Sequence, residues 1–229
     1  MLRIAILTAV RLEAQIIARV LNLQPHSKDH WSFGDVSLFV VGIGAVHLST
    51  VPIPQHGVIM AGVAGGLDPN LAIGDVIVDD ASAGIPLRNN SGDTPLPRRG
   101  KIHTAASVIA TPQDKAALFA QTGALAVEME NAPIRAWAAV NRIAFAGVRG
   151  ISDTAEHTID PAVLGLVDER GGLKKAALAK LLLTRPAMIG PLKQLGDNTH
   201  QAANAAAEVV KCLLADGWPS QPQGSTPNN

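Results

Sequence analysis

Short apolar runs alternate with longer segments of mixed polarity along the chain. The apolar runs are rich in β-branched residues and end near Gly, Asp or Pro, as buried strands do; they cover residues 3–7, 37–41, 58–61, 75–78 and 143–148. The intervening segments place apolar residues three and four positions apart, which predicts helices over residues 12–21, 112–122, 133–140, 173–183 and 202–215. Strands that alternate with helices predict a mostly parallel or mixed sheet with helices packed against it.

Turn and loop residues set the boundaries of the predicted domain. A length of 229 residues fits one α/β domain, which we place at residues 1–216. Thr111 stands before a proline and predicts a capped helix start, and Asn131 predicts a second start. Residues 84–100 are dense in Pro, Gly, Asn and Arg, which predicts a long loop bordering the site or a subunit interface. Residues 217–229 predict a disordered tail.

Charge and cysteine content narrow the class of ligand. Lys plus Arg and Asp plus Glu both total 19, so no positive surplus favours nucleic acid or an anionic membrane, and a small molecule is the expected partner. The single cysteine, Cys212, is typical of a reducing compartment, and we expect the cytoplasm. No segment predicts a membrane span. The seven histidines lack metal-site spacing, so neither a metal nor a cofactor is predicted.

Two glutamates follow an apolar segment in the stretch Val127-Glu128-Met129-Glu130. In an extended chain, alternation would put Glu128 and Glu130 on one face. A carboxylate fixed at a strand end can accept hydrogen bonds from two adjacent hydroxyls, such as those of a ribose. The alternative is that both acids cap or solvate the helix that follows.

Two further acids stand near predicted strand ends. Asp153 follows the strand over residues 143–148, and Ser152 could support it; a half-buried carboxylic acid there could give its proton to a purine ring nitrogen. The alternative for Asp153 is a turn cap. Glu13 lies one turn into the first helix and could be the base for a water, or only a favourable acid in a first helical turn.

A glycine pair after the second predicted strand invites comparison with a dinucleotide-binding loop. The segment Gly42-Ile43-Gly44 lacks the third glycine, and no acid ends a second strand at the required distance. We therefore reject dinucleotide binding and expect these glycines to let backbone amides face a ligand or an anion. Ser152 has no histidine partner in sequence, which disfavours a serine-hydrolase mechanism.

Six segments, taken in order, resemble the nucleoside phosphorylase and nucleosidase superfamily, and in particular the methylthioadenosine/S-adenosylhomocysteine nucleosidases. They span about residues 1 to 165 and are Glu13, Gly42-Ile43-Gly44, Ala64-Gly65-Gly66-Leu67, Gly74-Asp75-Val76, Val127-Glu128-Met129-Glu130 and Ile151-Ser152-Asp153. The resemblance implies a three-layer α/β/α sandwich around a mixed, mostly parallel, twisted sheet. It also implies an enzyme that cleaves the N-glycosidic bond of an adenine nucleoside, and a homodimer.

The resemblance assigns a role to each matching residue. Glu13 looks like the acid that activates the attacking water, and Asp153 looks like the acid that protonates N7 of the base. The remaining positions would bind or support the substrate: Met129 and Glu130 at the ribose, Gly65 close to the ligand, Val108 and Ile109 beside the base, and Ser152, Glu128 and Arg149 as supporting groups.

The nucleophile and the 5′ group of the substrate stay open. Phosphorylases of the family place an arginine in the segment aligned with residues 61–65, where this chain has Val63, so hydrolysis is favoured over phosphorolysis. Arg149, Arg11, or a loop arginine among Arg88, Arg98 and Arg99 could still bind phosphate.

Residues beyond 165 resemble hopanoid-associated members, which act on adenosylhopane and are commonly described as phosphorylases. Leu181 to Leu183 and Met188-Ile189 could line a channel for an apolar 5′ substituent, or pack as ordinary core. A nucleoside-binding protein without turnover is the alternative from another class, although it would not need both Glu13 and Asp153.

Overall fold

A computed structural model describes residues 1–79, 81, 96–166, 168, 172 and 174–219. Among these residues the strands are β1 (Ile4–Thr8), β2 (Gln24–Ser27), β3 (His30–Phe33), β4 (Val36–Val40), β5 (Gly57–Gly66), β6 (Val76–Asp79), β7 (Arg98–Gly100), β8 (Ile102–Thr104), β9 (Ala126–Glu128) and β10 (Ala144–Asp153). The α-helices are α1 (Arg11–Val20), α2 (Pro112–Thr122), α3 (Asn131–Val140), α4 (Pro161–Leu164), α5 (Lys175–Thr184) and α6 (Ile189–Ala215).

The strands form one mixed sheet whose centre is parallel. Its order is β2-β3-β4-β1-β5-β10-β6-β7, with β9 attached to β5 and β8 attached to β9. The central pairs β4–β1, β1–β5 and β5–β10 are parallel, whereas β6 runs antiparallel to β10 and β2 to β4 form an antiparallel meander. The predicted mixed, mostly parallel sheet is confirmed.

Helices cover both faces of this sheet, because successive side chains of β1 point to opposite sides. Ile6 packs in the cluster that α1 and α6 complete, whereas Ala5 and Leu7 pack in the cluster that contains Ile134 and Ala138 of α3. The result is the three-layer α/β/α arrangement that the sequence predicts. Within the described part of the chain, no helix is long and apolar enough to cross a membrane.

The two central strands are longer than the sequence predicts. β5 and β10 each have ten residues, and parallel pairing continues past Val148 through Ile151, which lies opposite Ala64. The prediction ended both strands early because glycines and a buried arginine interrupt the apolar run. This extension places β5 and β10 side by side where the glycines and acids begin.

The limits of some other elements match the sequence predictions, and the limits of others differ. Thr111 caps α2 by accepting a hydrogen bond from the amide of Asp114, and α2 spans the predicted residues. Helix α6 begins at Ile189, thirteen residues before the predicted start. Of the predicted loop 84–100, residues 98–100 form β7 and residues 84–95 lie outside the described residues. Trp218 is buried in the core, so packing continues beyond the predicted domain end at residue 216.

Candidate active site

A cavity of about 220 Å³ opens at the carboxyl ends of β5 and β10, the edge at which parallel sheets commonly bind ligands. All ten candidate site residues named from the sequence line this one cavity. They are Glu13, Gly65, Val108, Ile109, Glu128, Met129, Glu130, Arg149, Ser152 and Asp153. The folding of the sheet therefore brings together acids that are more than a hundred residues apart in sequence.

Glu13 reaches the cavity from the first turn of α1. One of its carboxylate oxygens accepts a hydrogen bond from the amide of Val63 at 2.8 Å, and the other accepts from the amide of Val10 at 3.2 Å. Glu13 thus holds the start of its own helix, as the helical-turn alternative predicts, and it also contacts β5 at the cavity. A side chain at Gly62 would have its Cβ 2.5 Å from the Glu13 carboxylate, which explains why glycine stands there.

Arg149 lies at the centre of a buried cluster of acids. Its Nη2 donates to Glu128 and, at 3.2 Å, to Glu130, and the charge of Glu13 also acts on it. Burial lowers the pKa of Arg149, but these carboxylates raise it by more, so the guanidinium stays charged. Its Nε is buried without a hydrogen-bond partner among the described residues.

Burial makes two of these acids hold their protons more tightly than usual. Burial raises the pKa of Glu13, and Arg149 lowers it by a smaller amount. Burial also raises the pKa of Glu130 to about 7, where Arg149 opposes the shift and the charge of Glu128 adds to it. Glu130 is therefore poised to exchange protons near neutral pH.

Glu128 and Glu130 meet at Arg149 for a reason other than strand alternation. The strand β9 ends at Glu128, and Glu130 occupies the position before α3. Glu128 accepts hydrogen bonds from the amides of Glu130 and Asn131 at 2.7 and 2.8 Å, so it does cap the helix start. The predicted shared strand face is wrong, because the chain turns into α3 after Glu128.

The Gly42-Ile43-Gly44 segment turns a backbone amide towards a carboxylate of the protein, not towards a ligand or a bound anion as expected. The amide of Gly44 donates to a carboxylate oxygen of Glu130 at 3.0 Å, and Gly44 has a φ of 68° that most side chains disfavour. The anion that this loop faces is thus a carboxylate of the protein itself. The contact holds one oxygen of Glu130 while Arg149 contacts the other.

Asp153 lies at the opposite end of the acid cluster, at the last position of β10. One carboxylate oxygen accepts a hydrogen bond from the hydroxyl of Ser152 at 3.1 Å. The other accepts from the ammonium of Lys115 at 2.5 Å. Ser152 therefore supports Asp153, as the sequence predicts, but the strongest partner of Asp153 is a residue that the sequence analysis did not name.

Three residues that no sequence pattern marks as site residues hold buried acids in place. Lys115 comes from α2 and has a fully buried side chain. The hydroxyl of Thr104 donates to Glu128 at 2.7 Å, and the amide side chain of Asn131 contacts Asp79 at 2.9 Å. No local pattern marks Lys115, because a lysine in a first helical turn resembles an ordinary surface residue. Thr104 could be found only from the pairing of β8 with β9, and Asn131 only from the approach of α3 to the end of β6.

A second cavity, of about 290 Å³, adjoins the first and shares Ser152, Asp153 and Ile159 with it. Met188 lines this second cavity, as an apolar channel would require. Leu181 instead packs against Met188 and Leu166, and Leu183 and Ile189 are 84% and 57% exposed. The predicted channel for a 5′ substituent is therefore not formed by these leucines.

Arg11, Arg98 and Arg99, the described arginines among the other phosphate candidates, do not line the acid-lined cavity. Arg11 pairs with Asp29 at 2.6 Å, and Arg98 is 4.0 Å from Asp68. Arg99 is on β7, and Arg88 lies outside the described residues. Among the described lining residues, Arg149 is the only one with a positive charge.

Comparison with solved structures shows which proteins share this fold. A 5′-methylthioadenosine/S-adenosylhomocysteine nucleosidase from Helicobacter pylori, solved with butyl-thio-DADMe-Immucillin-A, has a TM-score of 0.63 at 18% identity, over 94% of this chain and 99% of that chain. A putative nucleosidase of the same kind from Francisella philomiragia has a TM-score of 0.62 at 19% identity, over 94% and 99% of the two chains. Futalosine hydrolase of Helicobacter pylori has a TM-score of 0.60 at 17% identity, over 94% and 98%.

Comparison of sequences finds a likeness over part of the chain. No curated protein sequence matches the chain. A family model for the phosphorylase superfamily, however, matches residues 87–185. This matched stretch contains α2, α3 and β10, and with them Glu128, Glu130, Arg149 and Asp153. Residues 87–185 are thus similar in sequence to the phosphorylase superfamily, and the chain shares the fold of the nucleosidases named above.

Proposed function

We propose that the protein is an enzyme that hydrolyses the N-glycosidic bond of an adenine nucleoside and releases adenine. The observation that carries this proposal is the convergence of Glu13, Glu130 and Asp153 around one cavity. The solved structures that share the fold include nucleosidases and a hydrolase, which agrees with the same class of reaction.

Each of the three acids acts on a different part of the reaction. Asp153 donates a proton to N7 of the adenine, which draws electrons from the bond between C1′ and N9. As that bond breaks, the ribose develops positive charge, and the buried carboxylate of Glu130 accepts hydrogen bonds from its hydroxyls. Val108 and Ile109 flank the base, Met129 contacts the ribose, and Gly65 lets the backbone approach the ligand.

Glu13 supplies the base for the nucleophile. It takes a proton from a water molecule while the water oxygen forms the new bond to C1′, and the electron pair of the broken bond leaves with the base. A general base works best with a pKa near the working pH. Burial of Glu13 raises its pKa in that direction, and the amide of Val63 fixes the orientation of its carboxylate.

The charge of the cavity favours water over phosphate. The guanidinium of Arg149 is already engaged by Glu128 and Glu130, and Glu13 adds a third carboxylate to the cluster. A phosphate ion would have to enter beside these acids, which repel it. Val63 stands where family phosphorylases have an arginine. We therefore propose hydrolysis, with phosphorolysis as the alternative that the test below separates.

The assay that tests this proposal measures free adenine from adenosine, methylthioadenosine and a 5′-alkylated adenosine, each with and without phosphate. We expect adenine and free ribose products at rates that phosphate does not increase. A requirement for phosphate, with a ribose 1-phosphate product, would instead support phosphorolysis. Ligand binding without adenine release from any substrate would support a nucleoside-binding protein. A Glu13→Gln variant serves as the matched control, because it keeps the size of the side chain and removes the base.

Three further expectations stay proposals. The comparison of the three nucleosides also tests whether a 5′ substituent, including the large apolar one of adenosylhopane, is accepted. We also propose a cytoplasmic location, from the single cysteine. The homodimer rests on the family resemblance, and a measurement of molar mass in solution tests it.

A further inference from the structure

Lys115 is the most deeply buried lysine of the described chain, with a side-chain exposure of 0%. Its ammonium has three N–H groups, and the structure gives each of them a partner. They are a carboxylate oxygen of Asp153 at 2.5 Å, the carbonyl of Thr154 at 2.7 Å and the carbonyl of His157 at 3.2 Å. Helix α2 thereby connects through one side chain to the end of β10 and to the turn that follows it.

Such a lysine is costly to bury. An unpaired ammonium in a protein interior loses its hydration, and the loss is offset only by a nearby negative charge with good hydrogen-bond geometry. Asp153 supplies that charge in its carboxylate form, the form that it regains when it gives its proton to the base. An apolar side chain could fill the same space without this cost, so the presence of lysine calls for a reason other than packing.

We propose that Lys115 is a positioning residue for Asp153 in the cleavage of the glycosidic bond. This inference rests on the proposed function, because it assigns Lys115 to the step in which the base leaves. Lys115 holds one carboxylate oxygen of Asp153 while the hydroxyl of Ser152, at 3.1 Å, holds the other. The carboxyl group is thus fixed at both oxygens.

The electrostatic effect of Lys115 increases as the reaction proceeds. When Asp153 donates its proton, an O–H bond breaks at the carboxyl group, an N–H bond forms at N7, and Asp153 becomes a carboxylate. That negative charge develops next to the ammonium of Lys115, which keeps its own three protons. An interaction that is stronger in the transition state than in the ground state raises kcat rather than substrate affinity.

Lys115 could instead serve only to hold the turn after β10, since it also contacts the carbonyls of Thr154 and His157. The two roles differ in one consequence. A residue that acts through Asp153 matters only for leaving groups that need a proton. A residue that merely holds the turn affects every substrate of the cavity.

The test compares two substrates in the full-length protein. Adenine leaves after protonation, whereas the nitrophenolate of 4-nitrophenyl β-D-riboside leaves without it. For Lys115→Met, we expect kcat with adenosine to fall about 10-fold to 100-fold, within the range of general acid catalysis. We expect kcat with the nitrophenyl riboside and KM with adenosine to change by less than about threefold. Lys115→Arg, which keeps the charge, should restore part of the loss.

A double variant covers the case in which Lys115→Met does not fold because it leaves Asp153 without its partner. Lys115→Met combined with Asp153→Asn removes both buried charges. We expect its adenosine turnover to equal that of Asp153→Asn alone, since Lys115 acts only through Asp153.

Specific outcomes overturn the inference. Equal losses with both substrates in Lys115→Met, or additive losses in the double variant, would show that Lys115 only holds the turn. A wild-type protein that cleaves neither substrate would overturn the proposed function itself, and with it this assignment. Cleavage of both substrates by the wild type, with a selective loss in the variant, supports both.

Discussion

A single guanidinium faces three carboxylates in the candidate active site. Arg149 contacts Glu128 and Glu130 directly, and the charge of Glu13 reaches it as well. Three ionised carboxylates around one cation would leave an uncompensated negative charge in a buried place, and burial opposes this. Burial raises the pKa values of both Glu13 and Glu130, and the charges of Glu128 and Glu13 raise that of Glu130 further.

Substrate affinity should therefore depend on pH through Glu130. Burial raises its pKa from the ordinary 4.5 to about 7, so the carboxylate that accepts hydrogen bonds from the ribose becomes abundant only as the pH rises past about 7. We expect KM for 4-nitrophenyl β-D-riboside to fall roughly tenfold between about pH 6 and pH 8. Glu130→Gln cannot titrate, so its KM should stay constant over that interval; a parallel fall in the variant would assign the effect to another group.

The same raised pKa affects stability in the opposite sense. The folded protein binds a proton at Glu130 more tightly than the unfolded chain does, so this contribution to stability is complete below about pH 4.5. It is lost as the pH rises to about 7, because the burial of the ionised form then costs free energy. Glu130 thus gains its proposed binding role in the same interval in which it ceases to stabilise the fold.

Some site residues could be predicted from the sequence and others could not. Glu13 and Glu130 follow shortly after apolar strands and Asp153 ends one, and the order of these segments along the chain carries the resemblance. Lys115 could not be predicted, because its partner is 38 positions away and its own segment has the pattern of a normal helix start. The contact between Gly44 and Glu130 depends equally on tertiary structure.

Glycines on β5 and β10 let other groups approach the sheet closely. Gly62 leaves room for the carboxylate of Glu13, and Gly65 leaves room for Asp153, whose Oδ2 would lie 3.1 Å from an added Cβ. On β10, Gly150 leaves room for the backbone of α6: an added Cβ would lie 2.0 Å from the carbonyl oxygen of Ala202. The first two glycines border the site, and the third allows a helix to pack.

Gly150→Ala should therefore destabilise the protein by forcing α6 away from β10. The clash is with backbone, which cannot rotate aside, and overpacking of this kind costs about 1–3 kcal/mol or more. Urea unfolding measures the loss. Gly196→Ala, on α6 itself, is the control, because an added Cβ at Gly196 meets nothing within 4 Å. We expect this control variant to be neutral or to stabilise the protein by about 0.5–1 kcal/mol. Equal stability of the two variants would contradict the tight contact between α6 and β10.

The limits of an element are predicted best where local residues mark its start. Helix α2 has both a capping threonine and a proline in its first turn, and its predicted limits match. The strands β5 and β10 are predicted too short because Gly62, Arg149 and Gly150 do not look like strand residues. Their pairing is maintained by the neighbouring strand, which is tertiary information. The short strands β2, β3, β8 and β9 have too few residues to show a period.

The candidate active site and the packing around Trp218 lie at opposite ends of β5. The acids gather at the carboxyl ends of β5 and β10, whereas Gly57 begins β5 at the other end of the strand. Trp218 packs there: an added Cβ at Gly57 would lie 3.0 Å from its indole ring. Trp218 also belongs to the core cluster that joins the sheet to α1 and α6.

Trp218→Ala should consequently lower stability without changing the chemistry of the site. Trp218 is 3% exposed, and truncation of a buried tryptophan typically costs about 3–5 kcal/mol. Because the cluster spans the sheet and both helices on that face, we expect the midpoint of the whole cooperative unfolding transition to fall, with KM for the nucleoside unchanged in the folded fraction. Trp218→Phe keeps part of the ring and should lose less. A variant with normal stability would mean that the chain after α6 contributes nothing to the core, whereas a changed KM would mean that the two ends of β5 are coupled.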